Sequence, residues 1–325
     1  MEKLQQSQPG EVLTIWPLEK SDLADGVDLE VLACAPTIWD IYPERTPGTI
    51  WPRIPGGAIV GQAPEKQLFA ASSLLPCGTC ECCKASLHLA CTSPYRPGSN
   101  APGGFANSTR LPDSFLVPDL PLDIDPAIMA ALIALAGPTY QTIATVGMVP
   151  GDTVVVWGQA GPGALPLQLL RALGMRPIWV TSTKSHPIDD IQYTDHCPTL
   201  AELPNPRCHV IDLSVDEEAC RNWLPLAANS ISCTVVGSMP SANDSLKWQF
   251  QPVLENLLFG QAALRWIRDI HPHLVLELIA LVKKGWVTID PWVQRVTLEK
   301  MPKTFATLLE NKFDIPKWPV FSVQT

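Results

Sequence analysis

The stretch 150–184 reads PGDTVVVWGQAGPGALPLQLLRALGMRPIWVTSTK. Pro150, Gly151 and Asp152 are turn formers, and Thr153 to Trp157 are β-branched or aromatic, the composition of a strand that follows a turn. Gly158, Gly161 and Gly163 come next. Gln168, Leu169, Leu170, Ala172 and Leu173 then recur at helical spacing, with Gly174 placed to cap the helix end. A second short apolar run, 178–181, completes the order strand, glycine turn, helix, strand. Such a unit suits a dinucleotide, whose pyrophosphate must approach bare backbone N–H groups at the positive end of a helix. The pattern G-x-G-x-x-G is met by Gly158, Gln159, Ala160, Gly161, Pro162 and Gly163, so its middle glycine is Ala160, whose methyl group narrows the approach without closing it. A glycine pattern alone is weak, and the flanking strands and helix at the correct intervals carry the reading.

The end of the second strand is where the adenosine ribose is read, and a carboxylate there would hold the 2′-hydroxyl of NAD. This chain offers Thr181, Ser182, Thr183 and Lys184 instead. Three hydroxyls and an ammonium suit a 2′-phosphate through charge-assisted hydrogen bonds, so NADP(H) is expected over NAD(H). Further on, 208–214 and 231–238 read as buried parallel strands, which places Gly237 and Ser238 at a carboxyl end, on the nicotinamide side. The run 263–267 reads as the last strand of that sheet, and 274–284 as a helix packed on the first domain.

With 325 residues the chain is long enough for two domains and a large core. A hydrophobic share of 46% and a charged share of 17% are those of a globular protein. The net charge of −9 excludes the basic face of a nucleic-acid binder. The longest apolar run, 128–137, is too short for a membrane span, and the first residues, MEKLQQSQPGEV, carry no apolar signal segment. A cytoplasmic protein with a small-molecule substrate, and neither nucleic acid nor membrane as partner, is expected.

Of the 10 cysteines, five crowd into LLPCGTCECCKASLHLACTSP. Cys77, Cys80, Cys83 and Cys91 are spaced C-x2-C-x2-C-x7-C, and four thiolates from one short loop wrap a zinc tetrahedrally with no position left open for substrate. The site is therefore expected to be structural. Cys82 is the spare thiol, and His88 reads as a surface residue. Before this lobe, 11–15, 27–34 and 50–62 are short strand-like runs broken by Pro and Gly, the pattern of a small β-rich domain. His209, His271 and His273 show no partner pattern and read as structural.

The order of parts (β-rich start, four-cysteine lobe, the segment GGFA at 103–106, then the nucleotide unit) resembles the zinc-containing alcohol dehydrogenases, the medium-chain dehydrogenase/reductases. WPRIPGGAIVG is similar to their P-x-x-P-G-H-E-x-x-G segment, and the Ser/Thr/Lys stretch resembles their NADP-using cinnamyl alcohol dehydrogenase branch. The resemblance implies an α/β fold with a GroES-like catalytic domain at 1–135, a Rossmann domain with a doubly wound parallel sheet at 136–268, and a return to the first domain at 269–325. It also implies a homodimer or homotetramer paired through the last strand.

The departures bear on chemistry. The family holds a catalytic zinc by a Cys in C-G-x-D or C-H-x-D, by the His of G-H-E, and by a later Cys. Anchored on Asp40, the first position here is Thr37, the second is Gly57 with Ala58 in place of the glutamate, and the third falls at Ala134 or Leu135. None ligates zinc, and Cys34 is the one nearby candidate for a displaced ligand. Zinc lowers the pKa of a bound oxygen from about 15.7 to about 7, roughly 12 kcal/mol of help to a developing alkoxide. The expectation is one structural zinc, no catalytic zinc, and an NADP(H)-dependent oxidoreductase acting on a substrate that carries its own activation: a conjugated C=C, an iminium or a carbonyl. Thr37, Tyr42 and Tyr140 are the candidate proton donors, and Trp39 and Trp51 candidate pocket walls. A catalytically silent nucleotide-binding or scaffold homologue, or a zinc-less lyase or cyclase, are the alternatives.

Overall fold

The structure, a computed structural model, describes residues 1–18, 26–43, 48–113, 116–158, 164–181, 191–205, 207–213, 222, 223, 226, 232–235, 263–267, 269–311 and 315–323. A hairpin of β1 (Glu2–Gln5) and β2 (Thr14–Pro17) opens the chain. Then follow β3 (Val27–Ala35), the one-turn helix α1 (Ile38–Ile41), β4 (Ala58–Gln62) and β5 (Leu68–Ala71). The cysteine lobe contains the short helix α2 (Glu81–Lys84) and a 3-10 turn, His88–Ala90, before β6 (Ser108–Leu111). Two helices, α3 (Pro126–Leu135) and α4 (Gly137–Val146), lead into β7 (Thr153–Trp157), α5 (Ala164–Ala172), β8 (Arg176–Val180), β9 (Gln192–Thr194), β10 (Cys208–Asp212), β11 (Ser232–Val235) and β12 (Ala263–Trp266). The chain ends with α6 (Pro272–Lys283), β13 (Val293–Val296), α7 (Met301–Asn311) and β14 (Trp318–Ser322).

Two six-stranded sheets result. The first is mixed, in the order β13-β14-β3-β4-β5 with β6 paired to β3, so strands from the last thirty-odd positions complete a sheet begun near the start. The apolar helix α3 lies against β3 and β4, and eight of its residues, Ala127 to Ile133 and Leu135, are buried, as expected for a helix that is hydrophobic all round. Asp125 starts it by accepting the Ala127 amide at 2.8 Å, ahead of Pro126 in the first turn. No single helix among the described residues is long and apolar enough to cross a membrane, and the bent pair α3–α4 that passes by composition serves here as core.

The second sheet is parallel throughout, in the order β12-β11-β10-β7-β8-β9. Its first strand, β7, is central, with β8 on one side and β10 on the other. The strand order therefore reverses between β7 and β10, and an open parallel sheet takes its ligand beyond the carboxyl ends at that switch point. The opposite, amino-terminal edge is pinned by a buried polar network. Asp152 accepts from Arg207 Nε at 2.6 Å and pairs with His209 Nε2 at 3.1 Å, while His209 Nδ1 bonds the Ser232 hydroxyl at 2.7 Å. Burial holds His209 below the usual imidazole range, which fits a structural role.

Candidate active site

Asp40 organises the first half of the site. Its carboxylate is fully buried and accepts from the Thr37 amide (2.7 Å), the Thr37 hydroxyl (3.0 Å), Gly56 N (2.6 Å) and Gly57 N (3.0 Å). Burial raises its pKa against the pull of Arg53 and of those donors. Arg53 is itself tied to the backbone of Asp40 (2.7 Å) and Gly98 (2.9 Å) and to Gln6 (2.9 Å). This hub brings the two positions singled out by the motif into contact: a Cβ built on Gly57 would lie 2.7 Å from Thr37 Oγ1 and 2.9 Å from Ser73 Cβ. Neither position carries a metal ligand. Ala134 and Leu135 lie on α3. Cys34 is buried beneath Gly56 and Gly104, its Sγ directed at the Ala35 carbonyl, and burial raises its thiol pKa well above the usual value. The residues present do not fit a catalytic zinc.

Around these positions stands a carboxylate that sequence reasoning missed. Asp269 is 5% exposed. It accepts from Trp39 Nε1 on both oxygens, at 3.0 and 3.1 Å, and from the Ser73 hydroxyl. Arg96 lies 5.3 Å from the centre of the Trp39 ring; burial lowers the Arg96 pKa, and the charge of Asp269 works against that shift. Trp39, expected as a pocket wall, is thus a hydrogen-bond donor to the segment leaving β12. Trp51 instead stacks on Arg53, at 5.2 Å.

The same segment, 269–271, is gripped from several sides. The Ile270 side chain occupies the space left by Gly137, the His271 amide donates to Gln141 Oε1 at 2.9 Å, and the His271 ring stacks on His88. His271 accepts the His273 amide at Nδ1 (3.3 Å), capping α6, and so donates from Nε2 to His88 Nδ1 at 2.5 Å. His273 Nδ1 also bonds His271 Nδ1. His88 is therefore the seam between the cysteine lobe and α6.

The three candidate proton donors are engaged with different partners. Thr37 gives its hydroxyl to Asp40. Tyr42 lines a cavity of about 220 Å³ with Gln6, Pro43, Arg53 and Leu309. Tyr140, on α4, donates to Glu277 of α6 at 3.0 Å, and burial together with that carboxylate raises its pKa, which makes it a weaker acid.

At the nucleotide edge, Gly158 follows β7 with its carbonyl accepting from Trp179 Nε1 at 2.8 Å, and a Cβ on it would press on Leu213 at 3.1 Å. Thr181 follows β8, half-buried, its amide bonded to Thr194 O at 3.0 Å. Both sit at carboxyl ends, as a dinucleotide requires. Ala160, Gly161, Pro162, Gly163, Ser182, Thr183, Lys184, Gly237 and Ser238 lie outside the described residues.

Cys77, Cys80, Cys83 and Cys91 bring their sulfurs within 4.8 Å of one another, the one such group among the described residues. Tetrahedral Zn–S bonds of about 2.3 Å put sulfurs about 3.8 Å apart, and here Cys77–Cys83 is 4.0 Å and Cys80–Cys91 is 3.9 Å. Backbone amides lower the pKa of Cys77 and bring that of Cys80 down to about 5, while burial pushes Cys83 up to about 12 and raises Cys91. The donor set fits a closed, structural zinc.

No family model matches the chain. Over 248 residues, 73% of this chain and 70% of the other, it is 23% identical to an alcohol dehydrogenase of Geobacillus stearothermophilus. Over 146 residues, 43% of this chain and 39% of the other, it is 27% identical to NADP-dependent alcohol dehydrogenase 6 of Saccharomyces cerevisiae. Over about seven tenths of its length the chain is similar to an alcohol dehydrogenase. Solved structures agree on the fold. The acetophenone reductase of Geotrichum candidum in complex with NAD superposes with a TM-score of 0.78 at 19% identity, covering 99% of this chain and 96% of that one. A cinnamyl alcohol dehydrogenase of Sorghum bicolor superposes at 0.78 and 18%, covering 99% and 97%. The α/β architecture, a GroES-like domain and a Rossmann domain, is that of the alcohol dehydrogenase fold.

Proposed function

We propose that this chain is an NADP(H)-dependent oxidoreductase of the alcohol dehydrogenase type that works without a catalytic metal and keeps one structural zinc. One observation carries the reading: Thr37 and Gly57 adjoin each other as a ligand pair would, yet offer a hydroxyl already committed to Asp40 and no side chain at all. A substrate that carries its own activation, as a conjugated carbonyl does, needs positioning and a proton more than a Lewis acid. Gly158 and Thr181, at the ends of β7 and β8, are the described residues that would hold the dinucleotide, together with the glycine turn, the hydroxyls of Ser182 and Thr183 and the ammonium of Lys184. A bound nicotinamide supplies hydride. NADP is expected over NAD because hydroxyls and Lys184 stand where a carboxylate would select the ribose 2′-hydroxyl. A homodimer joined through β12, an edge strand of the parallel sheet, and a division at 135 and 268 go with this reading.

The second reading, a silent scaffold, is favoured by the burial of Trp39, 5% exposed, against Asp269. Melting curves with NADPH and NADH, metal analysis, and a screen of conjugated carbonyls and imines decide between them. The oxidoreductase reading expects one zinc per chain, a larger melting shift with NADPH, and turnover. Two zincs per chain would refute the metal-free chemistry, and no shift with either nucleotide would leave the scaffold.

A further inference from the structure

Resting on the oxidoreductase reading, the geometry points to Ser73 and Asp269 as the acid–base pair that handles the substrate proton. Asp269 lies three positions beyond β12, at the carboxyl edge of the parallel sheet, where an open sheet places its ligand. Ser73 lies two positions beyond β5, and its Cβ is 2.9 Å from where a Gly57 Cβ would be. The two residues are 196 positions apart and hydrogen-bonded. The ligand edge of one domain and the substituted metal positions of the other therefore meet at this bond.

The chemistry of the pair follows from its bonds. A buried carboxylate is costly unless its oxygens are bonded, and Trp39 Nε1 donates to both of them, so Trp39 is a positioning residue that fixes the plane of the carboxylate. Ser73 donates its proton to that carboxylate, which leaves the lone pairs of Oγ to accept from a substrate O–H. Arg96, across the Trp39 ring, is the charge that acts on Asp269; Asp40 lies behind Thr37 and Gly57, and His271 with His88 follows two positions along the chain.

The substrate class this pair serves is a conjugated carbonyl. Hydride from the reduced nicotinamide forms a C–H bond at the β-carbon, and the nicotinamide is oxidised. The C=C electron pair moves to make the enol C=C, and the C=O π pair moves to oxygen. That oxygen takes the Ser73 proton as the Ser73 O–H bond breaks. Ser73 is re-protonated by the acid form of Asp269, in which the bond between them runs from the Asp269 O–H to Ser73 Oγ and leaves the Ser73 hydroxyl proton for the substrate, and Asp269 later takes a proton from water. The enol returns to the saturated carbonyl in solution. The reverse reaction runs the same protons backwards, with Asp269 as base.

The test uses the zinc-loaded full chain with cinnamaldehyde as substrate probe and benzamide as a non-reacting carbonyl. Ser73→Ala and Asp269→Asn are each expected to lower cinnamaldehyde reduction about 100-fold, the usual worth of a general acid, with the NADPH melting shift unchanged. Reduction by the natural chain is expected to decline with rising pH as Asp269 loses its proton, and this limb is expected to vanish in Asp269→Asn. Benzamide, whose N–H would donate to Ser73 Oγ, is expected to bind the NADP⁺ complex of Ser73→Ala about tenfold more weakly by calorimetry. Unchanged benzamide affinity in Ser73→Ala, or an unchanged pH limb in Asp269→Asn, overturns the pair. Absence of any NADPH melting shift in the natural chain overturns the oxidoreductase reading instead.

Discussion

A Cβ on Gly57 would stand 2.7 Å from the hydroxyl oxygen of Thr37 and 2.9 Å from Ser73 Cβ, so position 57 is closed to a larger side chain by its neighbours. Gly57→His is expected to destabilise the protein by about 1–3 kcal/mol through overpacking, read as a lower urea midpoint at unchanged slope. Zinc content is expected to stay at one per chain, because the adjoining Thr37 hydroxyl remains committed to Asp40. A second bound zinc in this variant would show that the ligand positions can still be rebuilt singly.

The cysteine lobe is the part of the chain that a bound zinc would brace. It contains only a one-turn helix and a 3-10 turn, and it has no apolar core of its own. Cys80→Ser is expected to reduce zinc from one equivalent to none and to lower the melting temperature by several degrees, since structural zinc contributes on the order of 10 kcal/mol to such loops. Chelation of the natural chain is expected to reproduce the effect, with proteolysis appearing first within 77–91. Full zinc retention in Cys80→Ser would refute the four-thiolate assignment.

The His88–His271 seam carries a pH signature. Burial, then the neighbouring charges of His273 and His88, bring His271 down to about 4. In the unfolded chain it titrates near about 6.5. The unfolded state therefore binds the extra proton between those values, and stability is fully present above about pH 6.5 and declines as pH falls toward 4. The melting temperature is expected to drop over that window, and His271→Gln is expected to flatten the drop. An identical pH slope in that variant would place the acid sensitivity elsewhere.

The nucleotide unit was legible because its signals are local. Thr153 to Trp157 is a strand as read, and the following helix and second strand fall within a few positions of the expected ones. The cysteine cluster was legible for the same reason, since four ligands within fifteen positions need no knowledge of the fold. Anchoring on Asp40 singled out Thr37 and Gly57, and the structure places the two side by side. What stayed hidden depends on long closures. Ser73 and Asp269 are 196 positions apart and His88 and His271 are 183 apart, and periodicity carries no information on such distances. Trp39 was noticed as an aromatic, but its partner was invisible, because an indole N–H donates to any carboxylate that the topology delivers.

Gly103 and Gly104, the glycines of the GGFA segment, are required for different reasons, and the difference can be measured. Gly103 N donates to Ile54 O at 2.8 Å and Phe105 N to Pro55 O at 3.0 Å, so the segment runs tightly along 54–56. A Cβ on Gly103 would strike the Pro55 carbonyl oxygen and come within 2.5 Å of that of Ile54, both backbone atoms that have nowhere to move. A Cβ on Gly104 would instead meet side chains, Cys34 Sγ and Ile59 Cγ1, each at 2.8 Å. Gly103→Ala is expected to cost about 3 kcal/mol and Gly104→Ala about 1–2 kcal/mol. Removing the sulfur separates the two: Cys34→Ala is expected to couple favourably with Gly104→Ala by about 1 kcal/mol and to be additive with Gly103→Ala. Denaturant unfolding of the four-member cycle for each pair gives both coupling energies, and equal couplings would show that the close approach at Gly104 is not made by the cysteine.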